Sequence, residues 1–375
     1  MGLVALPLLL LSAIGTLYTA FAALSVMRFA RRPRAAPVAA EPVTVLKPLH
    51  GAEPRLAANL ATFLHQRWDA PIQMVAGVQR ADDAARAVVE RLDGPIRLVV
   101  DGTRHGSNAK VANLINMMPA ARHDLLVLSD SDMSVPPDYL ATIAATLAQP
   151  GVGAVTCLYR GRGDAGVWSV LGAAAISYQF LPSVLVGLAL GLADPCMGST
   201  IALRRDTLNR IGGFGRLRDV LADDYRIGVG VRALGLRVAV PPMVVTHGCD
   251  EPSLGALVAH ELRWSATIRG IDRIGHFGQI ATFPLPFALL ALAVAPVAGL
   301  AALAAGLAAR LALVICVDRL AGARTAPRSV LLLRDCLSFG VFVASFLTRS
   351  VEWRGSRLKM EDEGRIASEP EIPRP

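Results

Sequence analysis

The sequence predicts an α/β domain with a mostly parallel, mixed sheet, held at a membrane by apolar helices near both ends of the chain. Three observations carry that expectation. Short β-branched runs alternate with helical stretches between residues 42 and 275. Uncharged stretches long enough to cross a bilayer flank them, at 3–27 and 280–309. Of the 375 residues 53% are hydrophobic, and the mean hydropathy of +0.46 is high for a soluble protein. The expected division is an anchor over 1–28, a cytoplasmic domain over 40–275, a membrane region over 279–350 and a polar tail over 351–375.

The anchor comes first. LVALPLLLLSAIGTLYTAFAALSVM, residues 3–27, has no charge and exceeds the roughly 20 residues a bilayer requires. Ala20-Phe21-Ala22 has the look of a cleavage site, but a secretory signal carries its positive charge ahead of the apolar run. Here Arg28, Arg31, Arg32 and Arg34 follow it. The positive-inside rule therefore places the N-terminus outside and the chain after Arg28 in the cytoplasm.

The middle reads as strand and helix in turn. VTVLKPL (43–49) is a β-branched strand, and PRLAANLATFLHQ (54–66) carries Leu56, Leu60, Phe63 and Leu64 on one helical face. IQMVAGVQ (72–79) is a second strand, stopping just before Asp82 and Asp83. Helix 83–92, strand 96–102, helix 108–119 and strand 124–130 follow. This alternation implies right-handed βαβ units, and such sheets bind ligands beyond the carboxyl ends of their strands. Asp82/Asp83 and Asp130/Asp132 sit at two such ends. Lys110 falls in the first turn of a helix that Asn108 is placed to cap; it is either a solvated lysine or a cation for a phosphate or the aspartates. No GxGxxG follows the first strand and no GxxxxGK[ST] occurs, so neither a dinucleotide fold nor a P-loop is supported. A sheet that binds phosphates without a glycine cradle needs another positive partner. Two carboxylates two residues apart suit Mg²⁺ or Mn²⁺, which leaves positions for diphosphate oxygens.

In the second half, CMGSTIALRRDTLNRIGGFG (196–215) reads as a turn, a strand and a capped helix stopping at Gly212-Gly213. Asp223 and Asp224 open a helix over 221–235; one acid is explained by the macrodipole, and the second exceeds what a cap needs. VAHELRWSATIRG (258–270) lines up His260, Arg263, Trp264 and Thr267 on one helical face. Residues 165–193 look membrane-spanning by hydropathy, yet a crossing there would put Asp130/Asp132 and Asp223/Asp224 on opposite sides. An in-domain or interfacial helix is expected instead. The apolar run from 280 to 317 suits two crossings that turn near Pro296–Gly299, and 336–347 suits a re-entrant or interfacial helix.

Composition narrows the partners. The net charge is +8, but aromatics make up only 5% and no basic stretch is interleaved with them, which argues against nucleic acid. The five cysteines are odd in number, widely spaced and without a CxxC, so neither a disulfide framework nor a zinc site is expected.

Taken together, VLKPLHGAEPRLAANL, GVQRADDAA, SNAKVANL, LSDSDM, GSTIALRRDTL, LADDYRIG and HELRW resemble, in this order and spacing, the ceramide glucosyltransferase family of inverting nucleotide-sugar glycosyltransferases. The likeness runs from the anchor to VEWRGSRLK at 351–359. It implies a GT-A fold, a DxD motif at Asp130 and Asp132 that holds the metal, and Asp224 as catalytic base. It also implies donor contacts from Pro48, Glu53, Asp83 (or Asp82) and Lys110, and acceptor or leaving-group contacts from Asp223, His260, Arg263 and Trp264. Two departures stand out: His260 where the family usually has Gln or Arg, and ADDAA without the proline of the usual DDPA. The His form looks more like the branch that glycosylates hopanoids, which implies N-acetylglucosamine transfer from UDP-N-acetylglucosamine to bacteriohopanetetrol at the bacterial inner membrane. Ceramide with UDP-glucose is the alternative within the family. Two other classes compete: a non-catalytic lipid-binding membrane scaffold, opposed by the intact acids, and a processive polysaccharide synthase, opposed by the few membrane segments and the missing glutamine.

Overall fold

A computed structural model describes residues 4–348 and, as backbone, the short stretches 350–353, 356–360 and 366–368. Ten strands lie within the first part: β1 (Val43–Pro48), β2 (Ile72–Val78), β3 (Ile96–Val100), β4 (Leu125–Leu128), β5 (Met133–Ser134), β6 (Val152–Val155), β7 (Leu158–Gly163), β8 (Ile201–Arg204), β9 (Arg237–Ala239) and β10 (Val244–Cys249). Seven form one sheet in the order β3-β2-β1-β4-β8-β6-β9. β1 runs parallel to both β2 and β4, and β8 is antiparallel to β4 and β6. This is the mixed α/β architecture expected of a GT-A domain. Every residue of β1 is buried, as a central strand covered on both faces requires. Val43, Val45, Met74 and Val127 pack on one side against Leu56, Leu60, Phe63 and Tyr139. Leu46, Val75, Leu126 and Leu128 pack on the other against Val111, Leu114, Ile227 and Val231.

Register then brings the second half of the chain to the acids. Leu128 pairs with Ile201, so residues 198–200, which lead into β8, lie beside Asp130. A smaller sheet, β5-β10-β7, extends the same edge, and its His247 lies opposite Met133 and Gly161.

The segment 165–193 is a helix, Val167–Leu190, interrupted by a wider π turn at Ile176–Phe180. Its first half packs onto β7 at glycine positions. A Cβ at Gly161 would sit 2.4 Å from the Ala173 Cα, and one at Gly163 would sit 2.7 Å from the Val170 amide. This half is in-domain, as expected. The second half packs on the N-terminal helix Ala5–Ala30, where the Tyr18 hydroxyl meets Ser183 Oγ at 3.1 Å.

Among the described residues, three helices are long and apolar enough to cross a membrane: Ala5–Ala30, Val167–Leu190 and Pro296–Ala321. The expected hairpin is asymmetric. Its break falls at Ala295–Pro296, as the sequence suggests, but the first arm, Pro284–Val294, has only 11 residues. Pro284 and Pro286 start that helix late, since proline fits a first turn and breaks an interior. With Arg273–Thr282 it makes a pair bent by 55°, a fourth span if counted as one. Leu331–Ser345, at 15 residues, is too short to cross alone. It joins its neighbours through buried ion pairs, Asp335 with Arg310 and Arg334 with Glu261, each at 2.7 Å. The polar tail expected over 351–375 lies largely outside the described residues. Its described part is three short antiparallel strands, β11 (Ser350–Trp353), β12 (Ser356–Met360) and β13 (Ile366–Ser368).

Candidate active site

The two aspartate pairs meet. Asp130 and Asp132 follow β4, while Asp223 and Asp224 open the helix Asp223–Ala233. Lys110, in the first turn of the helix Ala109–Met117 that Asn108 caps, reaches Asp130 Oδ1 at 2.7 Å and Asp223 Oδ2 at 3.4 Å. Gly198 links the same acids through its backbone: its amide donates to Asp224 Oδ2 at 2.9 Å, and its carbonyl accepts from the Asp130 amide at 3.3 Å. A Cβ at Gly198 would stand 2.7 Å from Asp130 Oδ2 and 3.3 Å from the Lys110 ammonium. Glycine is needed for that approach. Helix 167–190 therefore does not separate the acids.

The loop after β1 closes one side. Pro48 ends the strand and is buried. Asp83 points inward, its Oδ1 accepting from the amides of Gly51 and Ala85, whereas Asp82 is 68% exposed and pairs with Arg80 at 2.6 Å. Of the two, Asp83 is the structural acid. Glu53, two residues beyond Gly51, accepts from the Ser131 hydroxyl at 2.7 Å, which ties this loop to the turn between Asp130 and Asp132. Beneath it lies Lys47, fully buried, whose ammonium donates to Ser129 Oγ at 3.1 Å and to the Asp130 carbonyl at 2.8 Å and sits 3.5 Å above the Phe63 ring.

Asp132 faces the smaller sheet. Its Oδ2 lies 3.2 Å from His247 Nε2, and its carbonyl accepts from the Gly248 amide at 2.8 Å. His247 stacks on Tyr159, with ring centres 5.6 Å apart, and meets Trp264 edge-on at 6.0 Å. Trp264 and His260, one helical turn apart on Leu254–Ile271, meet at 4.4 Å. His260 Nδ1 is held 2.7 Å from Glu251 Oε1. Arg263 is half-buried on the same helix, and its carbonyl accepts from Thr267. His260 lines two cavities. One is polar, about 40 Å³, with Glu53, Asp132, Asp164, His247 and Asp250. The other, about 180 Å³, is mostly apolar, with Phe180, Leu257, Trp264, Phe283 and Phe342 in its wall.

Burial, with Asp223 beside it, raises the Asp224 carboxyl to about 6. Burial also raises Asp223, partly offset by Lys110. For Lys110 burial works in the opposite direction, but Asp130, Asp223 and Asp224 outweigh it and hold the ammonium above its ordinary value. Burial lowers Lys47 to about 7 despite Asp132, Asp130 and Glu53 nearby. Burial opposes the Asp132–His247 pair as well, yet their attraction prevails, lowering the aspartate and raising the histidine.

Asp130 and Asp132 fit a hard divalent ion that keeps most of its shell for water and substrate oxygens. Asp132 Oδ1 is buried without a hydrogen-bond partner, and the Asp130 side chain is 36% exposed. No group of three or more His, Cys, Asp or Glu placed to hold a metal occurs among the described residues.

Nothing in the sequence singles out Lys47, His247 or Glu251. Lys47 reads there as one strand residue among apolar ones, and His247 and Glu251 as part of THGCDE. Pairing between distant strands brings Lys47 and His247 to the Asp130–Asp132 turn, whereas Glu251 meets His260 only nine residues on, within the helix Leu254–Ile271.

Ceramide glucosyltransferase 1 of Caenorhabditis elegans is 24% identical to this chain over 204 residues, 53% of this chain and 43% of that protein. The match thus spans under half of that relative's length. Among solved structures, a mannosyltransferase from Pyrobaculum calidifontis in complex with GDP-Man and Mn²⁺ is 23% identical, with a TM-score of 0.48 and coverage of 90% of this chain and 99% of that one. GalNAc-T7 with UDP, GalNAc and Mn²⁺ is 12% identical, with a TM-score of 0.41 and coverage of 61% and 48%. The family described as Glycosyl transferase family 21 matches residues 7–366. With a match over nearly the whole chain, this protein belongs to Glycosyl transferase family 21.

Proposed function

We propose that this chain is a membrane-bound inverting glycosyltransferase that moves one sugar from a UDP-sugar to a lipid hydroxyl. One observation carries the reading: His260 stands between the acid-lined cavity and the apolar one, so a lipid lying in the second presents its head group to the first. The donor side is the strand-end cluster, with Asp83 and Glu53 shaping the loop after Pro48 and Lys110 offering positive charge to the diphosphate. A Mg²⁺ or Mn²⁺ ion held by Asp130 and Asp132 would supply Lewis-acid stabilisation of the departing diphosphate.

Asp224 is the base. Its carboxyl, raised to about 6, is ionised near neutral pH yet basic enough to take a proton. The acceptor hydroxyl loses its proton to Asp224 as its oxygen bonds to the anomeric carbon from the side opposite UDP. The bond from that carbon to the diphosphate oxygen breaks, and the electron pair leaves with UDP. Asp223 holds Lys110 in place and raises Asp224. Trp264 gives an apolar face to sugar or lipid, and Arg263 and His260 flank the acceptor side.

For the substrates, His260 in place of Gln or Arg supports UDP-N-acetylglucosamine and bacteriohopanetetrol, with the domain on the cytoplasmic face of a bacterial inner membrane, as Arg28–Arg34 suggest. The name of the C. elegans relative favours a second reading, ceramide with UDP-glucose. Protein reconstituted in vesicles with each donor–acceptor pair, read by mass spectrometry, tests both. A single-sugar lipid with equimolar UDP supports the reading. Absence of both products favours a scaffold, and a long polymer favours a synthase.

A further inference from the structure

Glu251 follows β10 and is buried, with 5% of its surface exposed. Its Oε1 is taken by His260 at 2.7 Å. Oε2 is buried with no hydrogen-bond partner, and Glu251 belongs to the wall of the apolar cavity, near Leu257 and Trp264. A carboxylate oxygen left so is costly, and native proteins keep such atoms where something else completes them. Gly172 on the facing helix lines the same cavity and, having no side chain, does not crowd Oε2. A Cβ at Gly172 would stand 3.0 Å from Oε2 and 3.2 Å from the Leu257 side chain. Because His260 also lines the polar cavity beside Asp132, a lipid whose reacting hydroxyl passes His260 toward the acids brings the next atoms of its head group to Glu251.

We infer that Glu251 Oε2 accepts a hydrogen bond from a second donor, an O–H or N–H, on the acceptor's head group, making Glu251 a specificity-determining residue that selects polyhydroxylated or hydroxy-amide lipids over simple long-chain alcohols. The inference rests on the lipid-acceptor reading above. A bond to a buried charge discriminates by about 10- to 100-fold, because an acceptor without the second donor leaves Oε2 unpaired.

The test uses the full chain in phosphatidylcholine vesicles with UDP-glucose and UDP-N-acetylglucosamine. Three probes of equal chain length serve as acceptors: hexadecan-1-ol, hexadecane-1,2-diol and N-acetyl-2-aminohexadecan-1-ol. The expected kcat/KM is at least about tenfold higher on the two-donor probes, mostly through KM. Glu251→Gln brings the ratio to within about threefold of one, as a neutral amide is the weaker acceptor. Gly172→Ala, which fills the space beside Oε2, does the same and carries the test should the Gln protein misfold. A wild-type ratio near one, or a ratio that survives both substitutions, overturns the inference while lipid glycosylation stands. UDP binding without transfer to any of the three probes overturns both.

Discussion

The two cavities that meet at His260 are built on opposite plans. On the donor side, charge is assembled in advance: Asp132, Asp164, Asp250 and His247 line the polar cavity. On the far side of the turn between Asp132 and Asp130 the acids Asp130, Asp223 and Asp224 surround Lys110, with Lys47 bonded to the Asp130 carbonyl beneath. Apart from His247, which lies within strand β10, these groups stand at a strand end, a helix start or a short loop of the sheet domain. On the acceptor side the wall is mostly apolar and made largely of helices that pack on the apolar helices of the C-terminal half. The difference follows from the substrates proposed for each. A nucleotide diphosphate needs opposing charges fixed before it arrives, since rigid, partly buried charges interact strongly without reorganising. A lipid brings little charge and needs a passage from the bilayer. The helix Leu254–Ile271 serves both sides, presenting His260 to each cavity while Arg334 on Leu331–Ser345 grips its Glu261.

Breaking the charged side is expected to give the largest effects. Asp224→Asn removes the base and should lower transfer by about two to four decades while UDP binding, measured by calorimetry, persists; unchanged turnover removes Asp224 from the role. Lys110→Met leaves Asp130 and Asp223 without their shared cation, and losing one member of a buried pair costs about 3–5 kcal/mol. A fall in melting temperature together with weaker UDP binding is expected, and a protein of wild-type stability would show that Lys110 is not the keystone of the cluster. The pH profile sharpens the same side. With Asp224 titrating at about 6, the active form is the ionised one, so kcat/KM should be flat above that value and fall about tenfold per pH unit below it. A profile flat down to pH 4 would place the base elsewhere. The smallest effect belongs to the apolar side: Trp264→Ala should raise the KM for the lipid about tenfold, on the scale of one lost aromatic contact, with the donor KM nearly constant. Equal shifts in both would mean that Trp264 belongs to the donor site.

Much of the donor side was legible from residue order. Strands ending at Pro48, Val78 and Leu128, each followed by an acid or a turn, announce a parallel sheet with a ligand edge, and Asn108 announces the helix that carries Lys110. Local patterns of that kind involve neighbours in sequence. The partner of Asp132 is different in kind, because β10 reaches β5 and β7 only through pairings distant in sequence. Glu251 lies only nine residues from His260, but nothing in THGCDE marks either His247 or Glu251 as a site residue. Within 196–215 the strand and the helix form in the expected order, the helix being Arg205–Arg210 just before Gly212-Gly213, although Arg204 at its start gives no side-chain cap. The asymmetry of the C-terminal hairpin escaped hydropathy because Pro284 and Pro286 interrupt the helix while leaving the stretch uncharged.

The proposed reaction is a single displacement, with Asp224 as the one base, at a site where nucleotide sugar and lipid meet. The anomeric configuration of the glycolipid made from a UDP-α-sugar, read by NMR from the coupling constant of the anomeric proton, tests it most directly. A β-linked product is expected; an α-linked one would require a second nucleophile and would rule out a single displacement.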